Sequence, residues 1–310
     1  MGAYGSNRTQ LYNPVLTNFA RQFKPLESGF IADVVAPRIG VAKEVGQYPV
    51  FDKQYFFGNG VNPLKPDRAP SKEIDIKWSN ETYACEEYAL NFSITERERR
   101  NIDSEVRLQQ SKLSALRSRM LIDRERRVAA AFSGCTNSAT ISNNWNVDAG
   151  TIEADLVTAK EAIFDRSGLD PNALIIPYKV ANAIAIQQDI RALLQYTVNA
   201  QDILRVGQNI LPSELWGLKV YVAKSISTTD EDAASPSYAG IWGDEGYVAY
   251  IDPSADWGIP TAVAQFVTQD FRTRQWSEDN PAVDRFELSE IVDEKLTGDD
   301  LVQKLPDLLS

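Results

Sequence analysis

Residues 1–30 show no regular spacing of apolar positions. Leu11, Tyr12, Val15, Leu16, Phe19 and Phe23 are scattered, and Pro14 and Pro25 interrupt them. Such a segment reads as an arm that frays unless a partner or the body of the protein holds it. A period of two follows. Ile74, Ile76 and Trp78 alternate with Glu73, Asp75 and Lys77, and Tyr88, Leu90 and Phe92 repeat the pattern, so both stretches predict half-buried strands. The facing limb, residues 45–57, is rich in β-formers. Between the limbs lie Gly58-Asn-Gly60 and Pro63, Pro66 and Pro70, which are turn and loop signals. Residues 38–92 therefore predict a long two-stranded ribbon with its flanking strands. A ribbon of that kind is marginal alone in water. Its aromatic residues Tyr48, Phe51, Tyr55, Phe56 and Phe57, with Trp78, call for a surface to pack on. That surface is either the chain's own body or a neighbouring subunit.

The pattern then changes to a helical one. Ser93-Ile-Thr-Glu96 fits a capping box, and no Gly or Pro occurs from Ser93 to Ser133, with Gly134 as the stop. One very long helix is expected. Its apolar stripe, Ile102, Val106, Leu113, Leu116 and Met120, is too narrow for a helix buried all round. After Gly150 the texture changes again. Ile152, Leu156, Ala159 and Ile163 mark an amphipathic helix that stops near Gly168. Residues 173–177 read as a buried strand, 178–194 as a helix, and 218–223, 238–242 and 247–251 as strands, with an acidic loop over 226–237. This order predicts an α/β unit with a mixed sheet. Residues 262–271 and 285–292 are strand-like, and 299–310 read as a short helix broken at Pro306. The fold class expected is α+β.

Composition removes several kinds of chemistry. The 310 residues contain no histidine and two cysteines, Cys85 and Cys135. Serine and cysteine nucleophiles paired with histidine, and zinc sites built on histidine, are excluded. The cysteines read as small buried hydrophobes in a reducing compartment. Gly58-Asn-Gly60 begins a dinucleotide fingerprint, but Pro63 stands where its third glycine belongs. Asp230-Glu-Asp232 offers hard oxygen ligands, although a solvated loop is the simpler reading. No catalytic constellation, metal set or cofactor site emerges, and no apolar run approaches a membrane span. The expectation is a protein without catalysis or obligatory cofactor.

Net charge is −11, from 32 basic and 43 acidic residues. Yet residues 93–133 hold ten basic and six acidic residues, a local excess of +4. Most of the cations are arginine, which suits bidentate pairing with carboxylates. Arg117, Arg119, Arg124, Arg126 and Arg127 are accordingly expected to form ion pairs, some of them with neighbouring subunits rather than with DNA.

The sequence Glu214-Leu-Trp-Gly-Leu-Lys-Val-Tyr-Val-Ala223 resembles a strand entry, "LWG-x-x-V", of the major capsid proteins of tailed bacteriophages. Residues 239–252 (AGIWGDEGYVAYID) are similar to the following "GD-aromatic" strand pair, and Asp170–Tyr178 resembles the earlier strand that feeds a helix. The order of elements extends the likeness over nearly the whole chain. The resemblance implies the Hong Kong 97-type coat fold. Residues 1–37 would be its N-terminal arm, 38–92 the E-loop and flanking strands, and 93–149 the P-domain with its spine helix. Residues 150–260 would be the A-domain, and 261–310 the returning P-domain strands and C-terminal tail.

The resemblance also implies a role: self-assembly as hexamers and pentamers into an icosahedral shell around double-stranded DNA, without sequence-specific binding and without a membrane. Portal, a separate scaffolding protein (favoured by Met1 and the lack of a long helical N-terminal region) and a decoration protein are its implied partners. The location implied is the virion, with assembly in the host cytoplasm. Two other readings stay open: an encapsulin-type compartment shell, and an unrelated acidic α/β enzyme.

Overall fold

In the computed structural model the described residues are 11–12, 29–51, 61–68, 70–74, 78–101, 105–147, 151–187, 211–228, 230, 235–254, 256, 259–279 and 282–309. The elements in chain order are β1 (Leu11–Tyr12), α1 (Ala32–Val35), β2 (Arg38–Gly40), β3 (Val45–Phe51), β4 (Trp78–Ala84) and β5 (Glu86–Thr95). Next come α2 (Glu96–Arg100), α3 (Glu105–Ser133), α4 (Ile152–Ser167), β6 (Ala173–Pro177), α5 (Tyr178–Ile186), β7 (Glu214–Leu215) and β8 (Leu218–Ala223). The chain ends with β9 (Ile226–Ser227), β10 (Ala239–Gly240), β11 (Gly246–Ala249), β12 (Val263–Asp279), β13 (Ala282–Leu296) and β14 (Val302–Leu305).

Two sheets organise the molecule. The first is built on the long β12–β13 hairpin. β5 pairs antiparallel with β13, and the outer edge of β12 carries β2 in parallel and β1 antiparallel. Along β13 one face reads Phe286, Leu288, Glu290, Val292, Glu294, and α3 lies across it. Leu113, Leu116, Met120 and Leu121 of the helix pack on Ile94, Phe271, Phe286 and Leu288. Covering one face of a sheet with an amphipathic helix is the standard way to bury both apolar surfaces.

The second sheet has the order β14-β11-β6-β8-β7, with β6 and β8 parallel. β6 is buried throughout because it is covered on both faces. Leu174 and Ile176 meet α4 and α5 through Leu156, Ile163, Val180 and Ile184. Ala173 and Ile175 face the last turns of α3 at Val128 and Phe132. The helix, 29 residues and about 43 Å long at 1.5 Å per residue, therefore belongs to both units: its first half to the hairpin sheet and its end to the α/β core.

Several expectations shift. The predicted 41-residue helix is two pieces. Asn101 ends α2, and Asn101, Asp103 and Ser104 all favour caps over helix interior, because their side chains compete for main-chain hydrogen bonds. The capping box forms two residues later than expected. Strand pairing carries β5 through Thr95, so Thr95 and Glu98 make the reciprocal bonds (Glu98 N–H to Thr95 Oγ1, 3.2 Å; Thr95 N–H to Glu98 Oε2, 2.9 Å). Ile74 lies in irregular chain and is 61% exposed, so the strand begins at Trp78; Ile76 lies outside the described residues. α5 ends at Ile186, with Gln187 already extended, and 188–194 lie outside the described residues. Part of the predicted acidic loop, Ile226–Ser227, is a short strand paired with β10.

The tail is the largest correction. Asp299–Leu301 is a single 3₁₀ turn, and the chain continues as β14, which pairs with β11 in the α/β sheet. Leu301, Val302, Leu305 and Leu308 are all buried there. Trp145 is fully buried in the same core, and its indole N–H donates to Asp155 Oδ2 (3.0 Å). The α/β unit thus takes residues from both sides of the 150–260 segment.

Candidate assembly surfaces and the buried charge cluster

The ribbon leaves the hairpin sheet at Cys85, between β4 and β5. Its base is fixed by aromatic packing. Tyr83 stacks on Phe266 with ring centroids 4.7 Å apart, and Tyr48 packs on the same ring at 5.1 Å. Tyr48 is opposite Glu81 in the β3–β4 register, and its hydroxyl donates to Glu81 Oε2 (2.6 Å). Burial, reinforced by that carboxylate, pushes the Tyr48 phenol well above its ordinary range. Gly46 is required here, since a Cβ would overlap the Tyr83 ring. Tyr48 is therefore an anchor inside its own subunit. An aromatic residue this near the base meets its own sheet first.

Farther out, Phe51 and Trp78 face each other in register at the end of the described strands. Tyr55, Phe56 and Phe57 lie outside the described residues. Residues 61–68 return as an exposed turn in which Leu64 is 74% exposed.

The arginines of α3 divide into two groups. Arg124 is 2% exposed. It pairs with Glu290 and with Asp33 (3.1 Å), and its guanidinium lies 4.5 Å from the centre of the Phe271 ring. Arg127 pairs with Glu290 (2.9 Å), Glu294 (2.8 Å) and Asp123, and lies over Tyr88. Arg117 is buried over Phe271. Arg119 and Arg126 are exposed. Arg124 and Arg127 thus find acidic partners within their own chain. Glu290 and Glu294 occupy helix-facing positions of β13, and buried charges must find partners within reach. Burial pushes the Glu294 carboxyl up, against the lowering effect of Arg127.

Glu125 was not anticipated from the sequence. It is wholly buried and accepts from three separate segments. The Ile31 and Ala32 N–H groups donate to it (3.2 and 2.9 Å), as do the Trp242 indole N–H (2.7 Å) and the Ser225 hydroxyl (3.3 Å). One carboxylate on α3 thereby ties the end of the arm and the α/β unit to the helix that carries the hairpin sheet. Burial raises its pKa above the ordinary glutamate range, although every one of those donors opposes the shift. The one available signal was an acid at a core-facing helical position, three residues before Val128.

Among the described residues, no three of Cys, Asp or Glu come together as a metal site, and no helix is long and apolar enough to cross a membrane. Glu231 and Asp232 of the acidic loop lie outside the described residues. Both cysteines are free and buried.

No protein-family model matches the chain, and no curated protein matches its sequence. Solved structures do match. A phage-related protein from Bordetella bronchiseptica RB50 superposes with a TM-score of 0.71 at 18% identity, covering 97% of this chain and 98% of its own. The capsid of cyanophage P-SCSP1u gives a TM-score of 0.56 at 15% identity, covering 89% and 87%. A virus-like particle from Pyrococcus furiosus gives 0.54 at 14%, covering 94% and 95%. The chain has the fold of these phage and particle proteins, the Hong Kong 97-type coat fold, over nearly its whole length.

Proposed function

We propose that the chain is a major capsid protein, which assembles with copies of itself into the icosahedral shell around a tailed phage's double-stranded DNA. The observation that carries this reading is the coverage. A capsid structure is matched over 89% of this chain and 87% of its own, so the likeness takes in every unit of the described fold rather than one of them. The architecture supports it. The hairpin sheet is backed by one long helix, and among the described residues the ribbon packs on that sheet at its base. Closed shells need repeated contacts between copies at the edges.

On this reading the subunit is not an enzyme and takes no cofactor, and it works in the virion after assembling in the host cytoplasm. It joins hexamers and pentamers, meets a portal and a separate scaffolding protein, and can carry a decoration protein. The net charge of −11 suits a wall that must not grip packed DNA. The outer ribbon, with Phe51, Trp78, Tyr55, Phe56 and Phe57, supplies contacts to the neighbouring subunit, and Arg117, Arg119 and Arg126 supply charge on α3. A compartment shell of the encapsulin type is the second reading, supported by the likeness to the Pyrococcus furiosus particle. The contents of purified particles, DNA or a cargo protein, distinguish the two.

Deleting residues 58–70 tests the role of the ribbon. The expected result is a folded subunit, with unchanged circular dichroism, that forms few particles on sedimentation. Normal particles from the deletion would overturn it.

A further inference from the structure

The hairpin sheet has two edges, and they are treated differently. The β12 edge is covered by β1 and β2. On the other side, among the described residues, no strand pairs with the outer edge of β5. The bonds that reach this edge lie at its far end. Lys112 Nζ donates to the Ser93 carbonyl (3.0 Å), and the Thr95 N–H donates to Glu98 (2.9 Å). Both involve odd-numbered residues, which marks the main-chain groups of Glu87, Ala89 and Asn91 as the ones pointing off the edge, since these alternate along an antiparallel strand. All three residues are exposed.

Long open edges are normally protected by lysine, proline, a bulge or a covering loop. Among the described residues none of these lies along Tyr88–Phe92, and Lys112 reaches the edge only at Ser93. The pairing of β5 with β13 runs over ten residues without a register shift, and Tyr88–Ile94 contains no charge, proline or glycine. The edge is also dipolar. Glu86 and Glu87 stand at its start; at its end Arg97, Arg100 and Lys112 outnumber Glu96 and Glu98, with which Arg100 and Lys112 pair.

We propose that the β5 edge pairs antiparallel with the β5 edge of a second copy about a local two-fold axis, with Ala89 opposite Ala89 and Glu87 opposite Asn91. A two-fold contact uses the same patch on both partners, so a strand with unlike ends becomes self-complementary when it meets itself antiparallel. In this register Glu86 of each copy lies opposite Phe92 of the other, beside the Lys112 ammonium held at Ser93. Parallel pairing would instead set Glu86 and Glu87 against their own copies. The open stretch is short, which gives a weak contact suited to a shell that sums many of them. The inference deepens the capsid reading by naming one of its contacts.

The register is tested by cysteine crosslinking in the full-length chain. Residues directly opposite in a hydrogen-bonded antiparallel pair have Cα atoms about 5.5 Å apart, within the span of a disulfide. Ala89→Cys places a thiol at an exposed position, and both native cysteines are buried. On mild oxidation most of the Ala89→Cys chain is expected to run as a dimer on a non-reducing gel, while Asn91→Cys alone stays monomeric. A mixture of Glu87→Cys and Asn91→Cys chains is expected to crosslink, and it tests the same register if Ala89→Cys folds poorly. Particles that form normally but yield no crosslink in either arrangement overturn the strand pairing and leave the capsid reading intact. Crosslinked dimers in a preparation that forms no particles keep the pairing and remove the capsid reading.

Discussion

Replacing Glu125 with alanine removes the one acceptor shared by α1, Ser225 and Trp242. Four donors lose their partner, and all lie in the interior. An orphaned buried donor costs roughly 1–3 kcal/mol. The Ser225 hydroxyl can rotate to another acceptor, and a water can enter the space left by the side chain. Removing a desolvated carboxylate also returns part of the loss. About two effective donors remain, which with the lost packing predicts a destabilisation of about 3–5 kcal/mol, the range for breaking a buried charged network. Set against a typical domain stability of about 5–15 kcal/mol, that is a large fraction. Urea denaturation of the unassembled subunit, followed by tryptophan fluorescence, measures it, and Trp242 reports directly on the junction. The midpoint is expected to fall with little change in slope. Arg126→Ala, one residue along but exposed, is the control and should change stability by less than about 0.5 kcal/mol. A loss below about 1 kcal/mol in Glu125→Ala would refute the idea that this carboxylate joins the two units.

Further outcomes follow from the same contacts. Because the Glu125 pKa is raised on folding, its contribution is full below the ordinary glutamate range and is lost as pH rises through the folded value. Stability of the wild type relative to Glu125→Gln should therefore decline with rising pH, and a difference that grows with pH contradicts the assignment. Arg124→Ala leaves Glu290 buried with only Arg127 beside it and should cost about 3–5 kcal/mol by denaturation; a neutral result would mean that the cluster carries no stability. Phe266→Ala removes the ring that Tyr48 and Tyr83 share and should cost about 3–5 kcal/mol, with faster proteolysis at the ribbon base as a second readout. Cys135, whose thiol burial pushes up to about 11, should resist thiol reagents at pH 8 until denaturant is added, and rapid modification of the native chain would contradict its packing.

The elements that sequence revealed are those whose pattern is local. Alternation gave the Tyr88–Phe92 strand, and Gly168 gave the end of α4, where a left-handed residue (φ 71°) lets its N–H cap the Phe164 carbonyl (2.7 Å). What stayed hidden depends on contacts distant in sequence. Residues 299–305 have spacing compatible with a helix, and pairing with the edge of β11 makes 302–305 a strand. Glu290, which Arg124 and Arg127 share, lies more than 160 residues from either. Glu290 and Glu294 are acids where the alternation of β13 requires apolar residues, and this was a readable sign that cations face them from within the same chain. The charge excess on residues 93–133 was visible in the sequence, but its division into buried Arg124 and exposed Arg126 required the helix to be placed on its sheet.

Assembly is the claim on which the rest depends, and electron microscopy of the purified full-length chain tests it most directly. The account predicts closed particles of uniform size, in which the hairpin sheet and α/β unit of each copy form the wall and the ribbon lies on a neighbour. A monodisperse small oligomer at the same concentration, with no particles under any salt or pH at which the chain stays folded, would contradict it.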